Sequence, residues 1–174
     1  MAGGWALDLF LGDGRPHHDL DIGILRQDLH EVVRAFVAWE VFVAKDGALE
    51  PLQTGGRARR DVHSLWCRPN ATAPWTLELM LDDSEDDMWL FRRAPQIRRP
   101  LSEIVRFSSL GIPYLAPEIQ LLYKAKGLRE RDAADFDRTL PRLDPGQREW
   151  LLKALLLVHP QHEWVDALSG RPRG

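Results

Sequence analysis

The stretch from Gly3 to Asp21 constrains the fold more than any other part of the sequence. Two glycines open it, an apolar run that predicts a short helix ending at Gly12 follows, and an Asp-x-Asp pair closes it. Glycines at a helix start let backbone N–H groups approach an anion closely, and the helix dipole favours negative charge there. The stretch therefore predicts an anion-binding helix start followed directly by two acidic side chains.

The acidic pair, Asp19 and Asp21, lies near the start of a strand predicted from His18 to Leu25. Side chains on a strand alternate between its faces, so both carboxylates point to one face, while Leu20 and Ile22 point to the other. Two adjacent carboxylates repel each other unless a cation lies between them. Beside an anion-binding helix start, such a pair indicates Mg²⁺ held by carboxylates and nucleotide phosphates. A pair of solvated carboxylates is the alternative interpretation.

A third carboxylate is expected from a neighbouring strand, predicted from Trp75 to Asp82. Glu78 and Asp82 share one face of that strand, opposite its leucines. Glu78 is the preferred residue, because a charge in the middle of an apolar strand is costly unless it has a partner. Its role is either metal ligand or general base towards an acceptor hydroxyl. An ordinary cross-strand ion pair is the alternative.

The opening stretch resembles the signature of the aminoglycoside and lincosamide nucleotidyltransferases, which belong to the nucleotidyltransferase superfamily related to DNA polymerase β. The resemblance extends loosely to about residue 165. It implies an ATP-dependent, Mg²⁺-assisted transfer of a nucleotidyl group to a hydroxyl, and it does not identify the acceptor. The predicted reaction is the transfer of AMP from ATP to a hydroxyl of a small molecule, with antibiotic resistance if that molecule is an aminoglycoside-like antibiotic. The matching residues are Gly3, Gly4, Trp5, Ala6, Asp8, Gly12, Arg15, His17 or His18, Asp19 and Asp21.

Several roles follow from these residues together with the resemblance. Asp19, Asp21 and Glu78 are expected to hold the metal and to be catalytic, although family members often carry Asp at the place of Glu78. Gly3 and Gly4 are expected to cradle the β- and γ-phosphates. Arg15 is expected to reach the triphosphate, with an exposed loop arginine as the alternative. One of His17 and His18 is expected to pack against or hydrogen-bond to the acidic pair, and the other is expected to be solvated.

A second group of charged residues, from Tyr123 to Asp135, is similar to a Lys…Arg-x-x-Asp-x-x-Asp helix pair in related nucleotidyltransferases, including toxin components of abortive-infection systems. In those proteins the lysine lies near the nucleotide. The resemblance implies this role for Lys124, which is the preferred residue, with Lys126 as the second choice. Asp132 and Asp135 are expected to tie the helix to neighbouring cations. A solvated helix face is the alternative.

The charge pattern bears on the partners. The formal net charge of −3 argues against a dedicated nucleic-acid binder without excluding one. Residues 82–87 predict an acidic loop, which would attract a polycationic acceptor such as an aminoglycoside or be simply solvated. No apolar run reaches the ~20 residues of a membrane span. The single Cys67 excludes an internal disulfide and fits a reducing cytoplasm. The oligomeric state stays open.

The order of predicted elements indicates the α+β class. A nucleotidyltransferase-type mixed sheet with flanking helices is predicted for residues 1–114, and a helical subdomain for residues 115–174. Two alternatives to a small-molecule enzyme remain: a toxin-type nucleotidyltransferase acting on RNA or protein, and a binding module that keeps the fold without the catalysis. The second is considered because family members have a helix and a strand before the Gly-Gly pair, where this sequence has Met1 and Ala2.

Overall fold

The structure, a computed structural model, describes residues 1–45, 47–52, 58–127 and 129–170. The chain divides into two compact units. The first unit comprises Met1–Trp5 and Pro16–Leu101, and the second comprises Ala6–Arg15 and Ser102–Gly174. The α+β class and the helical C-terminal part are confirmed. The predicted boundary between residues 114 and 115 stays a prediction.

The first unit is built on a mixed sheet, which has seven strands within the described ranges. The strands are β1 Leu20–Leu25, β2 Glu40–Lys45, β3 Ala48–Pro51, β4 Ser64–Arg68, β5 Leu77–Glu85, β6 Met88–Leu90 and β7 Arg98–Pro100. Their order in the sheet is β3-β2-β4-β5-β6-β7, and β1 pairs with β5. This β1–β5 pair is parallel, whereas the other pairs in the sheet are antiparallel.

The two faces of this sheet differ because the strand residues alternate. Along β5, Leu77, Leu79 and Leu81 are buried, whereas Glu78 and Met80 between them are only half-buried. The leucine face packs with apolar residues of the neighbouring strands and of helix α2 (Leu29–Ala35) into the core of the first unit. The opposite face, which carries Asp21 and Glu78 side by side, is called the carboxylate face below.

The predicted acidic loop at residues 82–87 is wrong, because β5 continues to Glu85 and only Asp86 and Asp87 form the turn to β6. Both turn residues have positive φ, 47° and 60°, as aspartate tolerates in tight hairpins. Asp82 is a buried acceptor for the indole N–H of Trp89, at 3.1 Å. Asp83 pairs with Arg26 at 2.6 Å. Because they have these partners, Asp82 and Asp83 lie in β5 although their acidic sequence is typical of a loop.

The second unit is mainly helical. Its core includes Phe136 and Trp164, whose rings stack with centroids 4.2 Å apart. Helix α6 (Pro145–Val158) starts at a capping box in which the side chains of Asp144 and Gln147 each accept a hydrogen bond from the other's backbone N–H. The elements from Leu101 onwards are α3 Leu101–Ile104, β8 Val105–Phe107, β9 Pro113–Leu115, α4 Pro117–Lys124, α5 Glu130–Thr139, α6 Pro145–Val158 and α7 Glu163–Leu168. Among the described residues, no helix has the length and hydropathy that crossing a membrane requires.

Candidate functional site

The turn at Gly3 begins helix α1 (Gly3–Leu11) and touches the acidic pair directly. Gly3 has φ +59°, and a Cβ added there would lie 1.6 Å from Oδ2 of Asp21. The backbone N–H of Ala2 also donates to the carbonyl of Asp21, at 2.8 Å. Only glycine combines this φ with so close an approach. The Asp21 carboxylate therefore lies against the start of the helix, where the helix dipole favours negative charge.

Strand pairing places the third carboxylate beside the pair. Asp21 lies directly opposite Glu78 in the parallel β1–β5 register. One carboxylate oxygen from each of Asp19, Asp21 and Glu78 lies within 4.8 Å of the others, and all three residues are half-buried. The predicted proximity of Glu78 to the aspartates is thus confirmed. The roles of this acidic triad in metal binding and catalysis stay predictions.

The spacing of the acidic triad fits magnesium. Two oxygens on opposite sides of one Mg²⁺ are about 4.2 Å apart, twice the usual Mg–O distance. Separations of up to 4.8 Å exceed this only slightly and are also comparable with the ~4 Å between the ions of a two-metal site. The donors are all carboxylate oxygens, the ligand type that Mg²⁺ prefers.

Neighbouring side chains hold the acidic triad in place. The indole N–H of Trp5 donates to the carbonyl of Asp19 at 2.8 Å, and His17 stacks on Trp5 with ring centroids 4.5 Å apart. On the other side of the site, the Ser64 hydroxyl donates to Oε1 of Glu78. Sequence reasoning missed Ser64, because its contact depends on the β4–β5 register, which no local pattern reveals.

Asp82, the rival for the third carboxylate, lies elsewhere. It pairs with Leu25 at the far end of β1, and its carboxylate accepts the hydrogen bond from Trp89. It is also buried, whereas Glu78 is half-buried. These positions favour Glu78 as the third member of the site.

A cavity of about 500 Å³ opens on the carboxylate face next to the acidic triad. It is shared among three strands, with Ala44 on β2, Ser64 on β4, and Glu78 and Met80 on β5. Glu78 therefore belongs both to the acidic triad and to the cavity wall. The remaining lining residues are Lys45, Asp61, His63 and Arg92.

The other residues predicted to bind the nucleotide differ in their surroundings. Gly4 is buried in the first turn of α1, so its predicted part in a phosphate cradle stays a prediction. Arg15, Lys124 and Lys126 belong to the second unit, and their predicted contacts with the triphosphate also stay predictions. Lys126 is exposed just after α4.

Lys124 is the centre of a buried ion cluster within the second unit. It is only 8% exposed, and its Nζ lies 2.9 Å from carboxylate oxygens of both Asp132 and Asp135. Asp132 also accepts from Arg129 at 2.6 Å, and Asp135 pairs with Arg15 at 3.4 Å. The two aspartates thus tie α5 to neighbouring cations, as the sequence predicted.

Asp132 is fully buried, and burial alone would raise its pKa. The hydrogen bonds from Arg129 and Lys124 outweigh burial and hold the pKa of Asp132 below its usual range. A carboxyl with a lowered folded-state pKa stabilises the fold above its unfolded pKa of ~3.9, and this contribution is lost as the pH falls through the lower, folded value.

We expect Asp132→Asn to lower the free energy of unfolding by about 3–5 kcal/mol at pH 7, because Lys124 then loses one of its two buried counter-charges. Urea unfolding measures this difference, which should shrink as the pH falls from 4 to 3. Glu130→Gln, on an exposed position of the same helix, is the matched control and should cost less than about 1 kcal/mol. Equal stabilities of the two variants at pH 7 would contradict the interpretation.

Comparisons with known proteins add no relative, since neither a protein-family model nor a curated protein matches the chain. The interpretation of the site therefore depends on its residues and their geometry.

Proposed function

We propose that this protein is a Mg²⁺-dependent nucleotidyltransferase that transfers AMP from ATP to a hydroxyl of a small molecule. The observation that carries the proposal is the acidic triad beside the Gly3 turn. Its three carboxylates converge within 4.8 Å, and one of them, Asp21, occupies the space that any larger residue at position 3 would fill. A metal-bound triphosphate requires convergent carboxylates that hold the metal and, close to them, a helix N-terminus that binds phosphate.

The proposed division of work follows from the positions of these side chains. Bound Mg²⁺ would neutralise the charge of the triphosphate. Asp19 and Asp21 would hold it, and the backbone at Gly3 and Gly4 would approach the β- and γ-phosphates. The acceptor oxygen attacks the α-phosphorus, the bond to the β-phosphate bridging oxygen breaks, and pyrophosphate leaves with the bonding electrons. Glu78, which Ser64 orients, would take the hydroxyl proton.

The acceptor in this proposal is a small molecule. The cavity beside Glu78, about 500 Å³, falls within the ~300–1,000 Å³ range of small-molecule sites. An aminoglycoside-like antibiotic is the example drawn from the resemblance, and the charge of the cavity lining decides whether such a polycation fits. Transfer to tRNA or protein would instead support the toxin-type alternative. Failure to bind ATP would support the non-catalytic alternative.

A two-step experiment tests the proposal. Calorimetry should detect ATP binding in the presence of Mg²⁺ and much weaker binding without it, because unneutralised carboxylates repel a triphosphate. ATP labelled at the α-phosphate should then transfer its label to small molecules rather than to tRNA or protein. Absence of Mg²⁺-dependent binding of ATP or GTP would refute the enzymatic function. Labelling of tRNA or protein alone would identify the toxin-type alternative.

The role of Glu78 makes a separate prediction. Glu78→Gln should lower the transfer rate at least ~10²-fold, the low end for a positioned acid or base, with little change in ATP affinity. Steady-state kinetics and calorimetry measure the two quantities. Glu85→Gln, which changes an exposed carboxylate on the same strand, is the control and should leave both unchanged. A fully active Glu78→Gln variant would remove Glu78 from the catalytic set.

A further inference from the structure

The cavity on the carboxylate face extends to one side of the acidic triad. Gly3 contacts Asp21 on β1, and β1 pairs with one edge of β5. The cavity residues Glu78, Ser64 and Ala44 lie on β5, β4 and β2, which follow one another away from β1. A triphosphate held at Gly3 and Asp21 therefore lies on one side of Glu78, and the cavity lies on the other. In a transfer reaction the second position belongs to the acceptor.

The charge of the cavity lining bears on which acceptors fit. Two cationic side chains line it, Lys45 and Arg92. Asp61 pairs with Lys45 at 2.7 Å, and Glu78 is shared with the acidic triad. Once Glu78 is assigned to the metal or to the acceptor hydroxyl, the remaining lining has more positive than negative charge. Arginine provides paired N–H donors that match carboxylate and phosphate groups.

His63 adds hydrogen-bonding capacity to the lining without adding charge. Burial, together with the neighbouring Arg92 and Arg26, lowers its pKa. It is therefore neutral at pH 7, and a polycation gains no attraction from it. The acidic residues predicted to attract a polycation are also partly engaged, since Asp82 and Asp83 have partners within the sheet region.

We propose, on the basis of the nucleotidyl transfer proposed above, that this cavity holds the acceptor and that the acceptor is a small hydroxyl compound bearing a carboxylate or phosphate group. Arg92 and Lys45 bind that anionic group, while Glu78 receives the proton of the attacking hydroxyl. The chemistry is otherwise that of the proposed transfer, with pyrophosphate as the leaving group. A polycation such as an aminoglycoside is a poor acceptor in this arrangement.

The experiment uses the full chain with Mg²⁺ and ATP labelled at the α-phosphate. Deproteinised cell extract is separated by ion exchange into anionic, neutral and cationic small molecules, and kanamycin is added as a defined polycation. We expect label in the anionic fraction. Phosphatase treatment of that fraction then identifies the anion, since acceptance is lost for a phosphate and kept for a carboxylate. Label confined to neutral or cationic compounds, or label in no fraction, would overturn the proposal.

Substitutions of the two cationic lining residues test whether the labelled acceptor binds in this cavity. Arg92→Gln and Lys45→Gln should each raise the apparent KM for the anionic fraction at least tenfold, with unchanged binding of Mg²⁺ and ATP. Arg93→Gln is the matched control, because Arg93 is the exposed neighbour outside the cavity lining. Equal KM values for Arg92→Gln, Lys45→Gln and the control would refute the assignment. Calorimetry separates this failure from that of the proposed function, which requires Mg²⁺-dependent ATP binding in all these proteins.

Discussion

Replacing Asp21 by asparagine should lower nucleotidyl transfer by about 10³-fold while the protein stays folded. Asp21 touches the Gly3 turn and lies opposite Glu78, so it contacts the proposed phosphate-binding turn and is also a member of the acidic triad. Loss of a metal ligand removes several kcal/mol of transition-state charge stabilisation, and about 4 kcal/mol corresponds to a 10³-fold change in rate. Asparagine has nearly the size of aspartate, so the packing against Gly3 should be kept.

Single-turnover kinetics and thermal unfolding measure the two effects of Asp21→Asn. Asp28→Asn removes an exposed carboxylate from the same unit and is the control for net charge. A tenfold or smaller loss in Asp21→Asn, with ATP and Mg²⁺ saturating, would show that Asp21 is not a ligand. A large loss in both variants would instead point to a general charge effect.

The positions of Asp21 and Glu78 were predictable because strand alternation is a local property, whereas Asp19, which the predicted strand included, lies one residue before β1. A period of two decides which side chains share a face, and both strands are recognisable from their apolar residues. Even the choice of Glu78 over Asp82 followed from local sequence, since Glu78 is surrounded by leucines. What the sequence could not provide is the register of one strand against another.

The cavity shows the consequence of that missing register. Ser64, Lys45 and Arg92 come from separate segments, and they line one cavity with Glu78 only because of how the strands of this sheet are ordered and paired. Their individual sequence contexts resemble ordinary polar positions at strand ends. The same reason explains why the predicted acidic loop at Asp82 and Asp83 is wrong. Their partners, Trp89 and Arg26, cannot be identified from the acidic composition of this segment alone.

The sequence predicts Gly3 to be part of a phosphate cradle, and the structure adds a second constraint on this residue. Its φ of +59° favours glycine, and the Asp21 carboxylate lies where a side chain would begin. Gly12, at the other end of the helix, has a similar φ of +75° but no atom within 4 Å of an added Cβ. Substitutions at Gly3 and Gly12 can therefore distinguish the effect of a strained backbone from the effect of a steric contact with Asp21.

We expect Gly3→Ala to weaken the Mg²⁺-dependent binding of ATP at least 100-fold, because the new methyl group must displace the Asp21 carboxylate from the acidic triad. Gly12→Ala should cost about 1–2 kcal/mol of stability from its left-handed backbone, and leave ATP binding unchanged. Calorimetry and thermal unfolding of both variants provide the comparison. If Gly3→Ala binds ATP like the unmodified protein, the Gly3 turn has no part in positioning Asp21 for the metal. If both variants lose binding equally, the effect comes from the strained backbone and not from the contact with Asp21.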